Sequence, residues 1–135
     1  MSLVYVLTPF VAWLVTGVTK FLVNCVREKR LAFDLIGYGG FPSNHTAISS
    51  SVVFLAALRE GIDHPVVGLG VAFVFIVMLD ASSLRREVGR HATKLNELSN
   101  AGLRERIGHT RVELGGGLVV GLLTALAMYL VMSVG

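Results

Sequence analysis

The sequence predicts an all-α integral membrane protein, a compact bundle of about four membrane-embedded helices with an amphipathic cytoplasmic extension. The chain has 135 residues, of which 53% are hydrophobic and only 16% are charged. Its mean hydropathy is +0.69. The apolar residues occur in long blocks, whereas charged residues make up about a quarter of a typical soluble domain. We expect one domain over residues 1–135, with membrane lipid as a partner and no nucleic acid.

The first apolar block, Leu3 to Val26, is long enough to cross a bilayer, which needs roughly 20 apolar residues. Lys20, Asn24 and Arg27 recur at helical spacing near its end and therefore share one face. Lys20 either faces the protein interior at a functional site or extends to the membrane interface. The sequence leaves both interpretations open.

The remaining helices follow from the same reasoning. A second helix is predicted from about Ser43 to Leu58, with small and polar residues in its first half that favour close helix packing. Val66 to Leu79 is a third apolar block, and residues 81–98 continue with an amphipathic pattern. This region is either one long helix that leaves the membrane or a helix followed by an interfacial helix. The last helix is predicted from about Thr110 to Met132, and its Gly117–Gly121 pair suits close packing.

The basic residues predict the orientation of the bundle. Arg59 is the one basic side chain expected on its side of the membrane, and the others follow the first helix or lie between the third and fourth. The positive-inside rule then puts both termini outside and the basic connections in the cytoplasm, as expected in a cytoplasmic membrane. This topology brings His45 and His109 to the same membrane face.

The stretch Gly39–Thr46 has the composition of a turn followed by a capped helix start. A helix start binds anions through its free N–H groups, and His45 in the first turn could protonate a phosphate ester's leaving oxygen. The alternative is an ordinary capped helix with a solvent-facing histidine.

Glu113 follows His109 by four residues, so its carboxylate could orient the imidazole for attack on phosphorus. Equally, Thr110-x-x-Glu113 reads as a capping box. We expect Asp80 to pair with Arg85 or Arg86 at the membrane boundary. The spacing of cysteine, histidine and carboxylate residues predicts no metal site.

Three segments together resemble the signature of the type 2 phosphatidic acid phosphatases, relatives of the vanadium-dependent haloperoxidases: Lys20-x6-Arg27, Pro42-Ser43-Asn44-His45 and His109-x3-Glu113. The chain is more similar to a small divergent branch of that superfamily. This closer resemblance rests on Gly39 to His45, Asp80-x4-Arg85-Arg86-x2-Gly89, Leu95-Asn96 and Gly108-His109-Thr110-x2-Glu113.

The resemblance implies hydrolysis of a phosphomonoester or pyrophosphate through a phosphohistidine, without a metal or cofactor. It assigns His109 as nucleophile, Glu113 as its orienting carboxylate and His45 as the acid. It assigns phosphate binding to Lys20, Arg27, Ser43 and Asn44, with Arg85 and Arg86 as candidates for a missing arginine. Arg104 and Arg106 are the alternative candidates for that role. We expect a phosphorylated lipid or polyprenyl (pyro)phosphate as substrate.

The sequence departs from the superfamily signature at several positions: Glu28 replaces a proline, Asn44 a glycine and Glu113 an aspartate, and Leu103 stands where the arginine before His109 is missing. The chain is also shorter than the six-helix core of the larger relatives, which suggests a homodimer in which a second copy supplies the missing wall. Two other functions are compatible with the sequence. One is a non-catalytic membrane protein that binds phosphorylated lipid headgroups. The other is a small transporter subunit, which is disfavoured because the polar residues cluster at one face.

Overall fold

A computed structural model of the chain describes residues 3–33 and 40–134. Gly39 and most of the connector predicted over residues 31–40 lie outside the described residues. The described part contains five helices: α1 (Val4–Glu28), α2 (Asn44–Glu60), α3 (Pro65–Ser82), α4 (Leu84–Ser99) and α5 (Arg111–Val134). Three helical segments in it are long and apolar enough to cross a membrane, namely α1, the α3–α4 stretch and α5. The expected all-α membrane bundle is confirmed.

The shorter helix α2 lies at the centre of the bundle and packs against α1, α3 and α5. Its first half is buried although it is rich in hydroxyl groups, including Ser49, Ser50 and Ser51. Each of these hydroxyls donates to a carbonyl of α2 itself. Such bonds let a polar helix stay inside an apolar bundle without further partners.

Close contact between α2 and α5 depends on glycines of α5. A Cβ atom at Gly117 would lie 2.6 Å from the Ser43 carbonyl oxygen and 2.8 Å from the Thr46 Cβ. One at Gly121 would collide with the Ser50 hydroxyl. The expected close packing at this glycine pair is therefore confirmed, and it holds the starts of α2 and α5 side by side.

The inward face of α1 is a stripe of residues four apart, which comprises Val4, Thr8, Ala12, Thr16 and Lys20. The hydroxyls of Thr8 and Thr16 donate to carbonyls one turn earlier in the helix. Lys20 ends this stripe with only 8% of its surface exposed. Of the two interpretations of Lys20, the structure supports the one in which it faces the protein.

The amphipathic extension is a separate helix. Ser83 separates α3 from α4, and its hydroxyl and backbone N–H both donate to the Leu79 carbonyl. The apolar stripe of α4 is exposed, at Leu84, Val88, Leu95 and Leu98. Its buried residues are Gly89 and Ala92. An outward apolar stripe on an otherwise charged helix suits a position at the membrane interface.

Contacts at the two ends of the bundle define its topology. At one end, Tyr5 of α1 donates a 2.7 Å hydrogen bond to Glu60 at the end of α2. At the other end, the Ser43 N–H donates to the Glu113 carbonyl at 2.9 Å, so α2 and α5 begin together. Helices α1 and α3 therefore run opposite to α2 and α5, and the His45 and His109 turns lie at the same end.

Candidate active site

His45 is carried by the capped start of α2. The Ser43 hydroxyl oxygen accepts from the Thr46 N–H at 3.4 Å and from the Thr46 hydroxyl at 3.1 Å. These bonds set the first turn of the helix and leave His45 exposed on its outer side. Ser43 itself is fully buried and its hydroxyl oxygen serves as the cap, while the phosphate contact that the resemblance assigns to it stays a prediction.

Asn44 occupies the position where the superfamily has glycine. Its side chain lines the same cavity as His45. The Asn44 Oδ1 atom is buried and has no hydrogen-bond partner within the described residues. A polar atom of this kind is normally satisfied by a ligand or water.

His109 is held from both sides. Its backbone N–H donates to the Ala81 carbonyl at 2.9 Å, which ties the loop before α5 to the end of α3. Its Nδ1 lies 3.1 Å from Glu113 Oε2. Because a carboxylate only accepts, Nδ1 carries the hydrogen and Nε2 keeps a free lone pair. His109 is 8% exposed, so few other groups compete for the ring.

Glu113 makes the contacts that both of the alternatives left by the sequence require. The oxygen that contacts His109, Oε2, also accepts from the Thr110 N–H at 2.9 Å. The Glu113 N–H donates to the Thr110 hydroxyl at 3.3 Å, which completes the capping box. Helix initiation and imidazole orientation are thus coupled through one carboxylate oxygen.

Both histidines line one cavity of about 680 Å³, between α1, the start of α2 and residues 104–109. Lys20, Asn44 and Arg85 line it as well. This volume lies within the range typical of ligand pockets. The cavity therefore combines two imidazoles with fixed cations and a capped helix start, the groups that bind and react with a phosphate.

Comparison with known proteins shows the family of the chain. The model of the divergent PAP2 family matches residues 2–124. The chain belongs to the divergent PAP2 family. It is 27% identical over 144 residues to an uncharacterized membrane protein, YuiD, of Bacillus subtilis, an alignment that covers 90% of this chain and 91% of the relative. No solved structure gives a significant match.

The cations of this divergent PAP2 protein are not all those predicted. Arg27 lies exposed in the last turn of α1, two turns beyond Lys20, and does not line the cavity. Arg86 is also exposed and off the cavity, with its side chain packed beside Gly108. Arg85 does line it and forms the expected pair with Asp80, Nε to Oδ2, at 2.5 Å. Arg104 and Arg106, the alternative candidates, line it too.

A largely apolar wall completes the cavity, and all of it except Lys20 and Asn24 was missed from the sequence. Trp13, Gly17 and Asn24 lie on the α1 face that passes through Lys20. The 4-3-4 spacing of these four residues is the signal that could have revealed the wall. Phe21 and Phe33 close one side, with ring centroids 5.0 Å apart. Trp13 is 57% exposed, so this end of the wall lies at the surface of the bundle.

The electrostatic surroundings affect both imidazoles in the same direction. Burial lowers the pKa of His109 below its ordinary value and outweighs the hydrogen bond and charge of Glu113, which raise it. Burial also lowers the pKa of His45, and the Arg85, His109 and Lys20 charges lower it further. A neutral His109 at physiological pH suits a nucleophile. His45 would need the negative charge of a bound phosphate to hold its proton.

Proposed function

We propose that this divergent PAP2 protein is a metal-independent membrane phosphatase. It hydrolyses a phosphorylated lipid or polyprenyl (pyro)phosphate through a phosphohistidine intermediate. The observation that carries the proposal is the convergence of His45 and His109 on one cavity with Lys20 and Arg85, with the His109 ring backed by Glu113.

The reaction follows from these groups in two steps. The His109 Nε2 lone pair attacks phosphorus while the bond to the leaving oxygen breaks, and His45 gives that oxygen its proton. Water then attacks the phosphohistidine, His45 takes a proton from it, and the phosphorus–nitrogen bond breaks to release phosphate. Lys20 and the cavity arginines contact the phosphoryl oxygens, whose charge develops in the transition state.

A lipid substrate suits the shape of the cavity. From Asn24 to Trp13 the wall follows α1 for about three turns, or about 16 Å at about 1.5 Å per residue. This direction leads from the cationic end into the apolar part of a membrane span. A phosphorylated headgroup would sit beside Lys20, and its hydrocarbon chain would lie along Val18 and Leu14.

The distribution of charge favours a site that opens toward the cytoplasm. The cationic end of the cavity is also the end where the basic connections of the chain meet. Basic segments of membrane proteins are retained on the cytoplasmic side. The substrate would accordingly be reached from the inner leaflet of the cytoplasmic membrane.

One observation favours a second candidate, a non-catalytic protein that binds phosphorylated headgroups. The Asn44 side chain stands where the superfamily's glycine lets the backbone approach the anion. If this side chain blocks the in-line geometry, the cationic cavity still binds a phosphate but does not cleave it.

The test uses protein purified in detergent, a panel of lipid phosphates and a chelator. We expect phosphate release without metal, and its loss in both His109→Ala and His45→Ala. His91→Ala is the matched control because His91 is exposed on α4 and does not line the cavity. Binding without release across the panel would favour the second candidate. Release that survives both cavity substitutions would contradict the proposal.

A further inference from the structure

Residues 103–109, here called the strap, lie in the connection between α4 and α5 and carry two of the cavity's arginines. Arg104 and Arg106 line the cavity, whereas Glu105 between them does not. The Ile107 N–H donates to the Glu105 carbonyl at 3.0 Å, which makes a tight turn centred on Arg106. The position of Glu105 therefore affects where its two neighbouring arginines project.

Glu105 is bound to α4 by both carboxylate oxygens. Its Oε1 accepts from Asn96 Nδ2 at 2.8 Å, and its Oε2 accepts from the Thr93 hydroxyl at 3.1 Å. Asn96 also holds the strap backbone, since its Nδ2 donates to the Leu103 carbonyl at 2.8 Å and its Oδ1 accepts from the Leu103 N–H at 2.7 Å. One asparagine side chain thus makes three bonds to the strap.

The strap backbone also packs closely against α4 at Gly89. A Cβ atom at Gly89 would collide with the Glu105 carbonyl oxygen. Gly89, Thr93 and Asn96 lie on one face of α4 at helical spacing. At the far end of the strap, the His109 N–H is tied to Ala81.

We propose that Thr93, Asn96 and Glu105 form a latch that positions the strap so that Arg104 and Arg106 face the phosphate in the cavity. The latch residues are positioning residues, because they act through the two arginines and do not line the cavity themselves. This inference rests on the proposed function, since it assumes that the cavity binds a phosphoryl group.

The test compares Glu105→Ala, Asn96→Ala and the double variant with the unmodified protein in detergent. One measurement is the affinity for inorganic vanadate and phosphate, and the other is amide hydrogen exchange across the strap. Glu97→Ala is the matched control, because Glu97 is on the same helix and pairs with Lys94, not with the strap.

We expect exchange in the strap to quicken about tenfold when a latch bond is lost, and anion affinity to fall about five- to tenfold as the arginines lose their orientation. The double variant should lose more than either single variant but less than the sum of their effects, because the two residues share one bond and each also holds the strap separately. Glu97→Ala should change neither quantity. Gly89→Ala should lower anion affinity similarly, although alanine favours the helix and every latch side chain is retained.

Two results would overturn the proposal in distinguishable ways. If the unmodified protein binds the anions and the latch variants bind them equally well, the latch is wrong and the proposed function stands. If the unmodified protein binds neither phosphate nor vanadate, the proposed function fails and the latch fails with it.

Discussion

Replacing Glu113 by glutamine separates the two roles that its carboxylate oxygen performs. In Glu113→Gln, the amide oxygen can still accept from the Thr110 N–H, which keeps the capping box. The bond to His109 Nδ1 also keeps an acceptor but loses the negative charge. The helix start should therefore survive, while the stabilisation of a cationic or phosphorylated imidazole is reduced.

The structure bounds the size of each effect. The Glu113 and His109 side chains are 13% and 8% exposed, so solvent screens their interaction little. Hydrogen bonds to charged groups contribute about 1.5–3 kcal/mol and neutral ones about 0.5–1.5 kcal/mol. A loss of about 1.4 kcal/mol in the transition state corresponds to about a tenfold lower rate. The folded state loses the same charge, so the free energy of unfolding should also fall, by about 1 kcal/mol, although the cap keeps its acceptor.

Thr110→Val is the complementary variant. It removes the hydroxyl that accepts from the Glu113 N–H and leaves the carboxylate–imidazole contact in place. We expect it to lower the free energy of unfolding by about 1 kcal/mol and to leave the rate within about twofold. Phosphate release and thermal unfolding in detergent measure the two quantities. The reasoning is refuted if Glu113→Gln keeps the full rate, or if Thr110→Val slows phosphate release as much as Glu113→Gln does.

Three further predictions concern packing, charge and pH. Gly117→Ala should lower the free energy of unfolding by about 1–3 kcal/mol through overpacking. Gly115→Ala is the control and should not destabilise the protein, because a Cβ atom there meets open space. Equal unfolding temperatures for the two variants would contradict this prediction. Arg85→Ala should raise KM about tenfold and Arg27→Ala less than about twofold, because Arg85 lines the cavity and Arg27 does not. A larger effect of Arg27→Ala would contradict the assignment. Burial lowers the pKa of His45 in the free protein below the ordinary value of about 6.5, so kcat/KM should already fall with rising pH below that value as His45 loses its proton. The basic limb of kcat should lie at higher pH, because a bound phosphate helps His45 to hold its proton. A kcat/KM that rises up to pH 8 would contradict this prediction.

The helices were predictable because bilayer length and apolar content constrain them strongly. The second helix was expected at about Ser43–Leu58 and is Asn44–Glu60. The last helix was expected at about Thr110–Met132 and is Arg111–Val134. The shared face of the two histidines was predictable too, since charge asymmetry and the number of crossings determine it.

The details of the site were less accessible to sequence. Residues 100–110 have no periodic pattern, and their course depends on contacts with α4 such as Asn96 to Leu103. The identity of the cavity arginines follows from that course. The role of Ser43 was also ambiguous, because a hydroxyl at a helix start can cap the helix or contact a phosphate. The structure shows the cap, because the Ser43 hydroxyl oxygen accepts from Thr46, and the phosphate contact stays a prediction.

The phosphoryl-enzyme intermediate offers the most direct measurement. Unmodified protein mixed with a lipid phosphate in the presence of a chelator should, after an alkaline quench, carry one phosphoryl group on His109 in peptide mass spectra. The label should be absent from His109→Ala and form more slowly in His45→Ala. A phosphoryl group on any other residue, or substrate turnover by His109→Ala at the unmodified rate, would contradict the account.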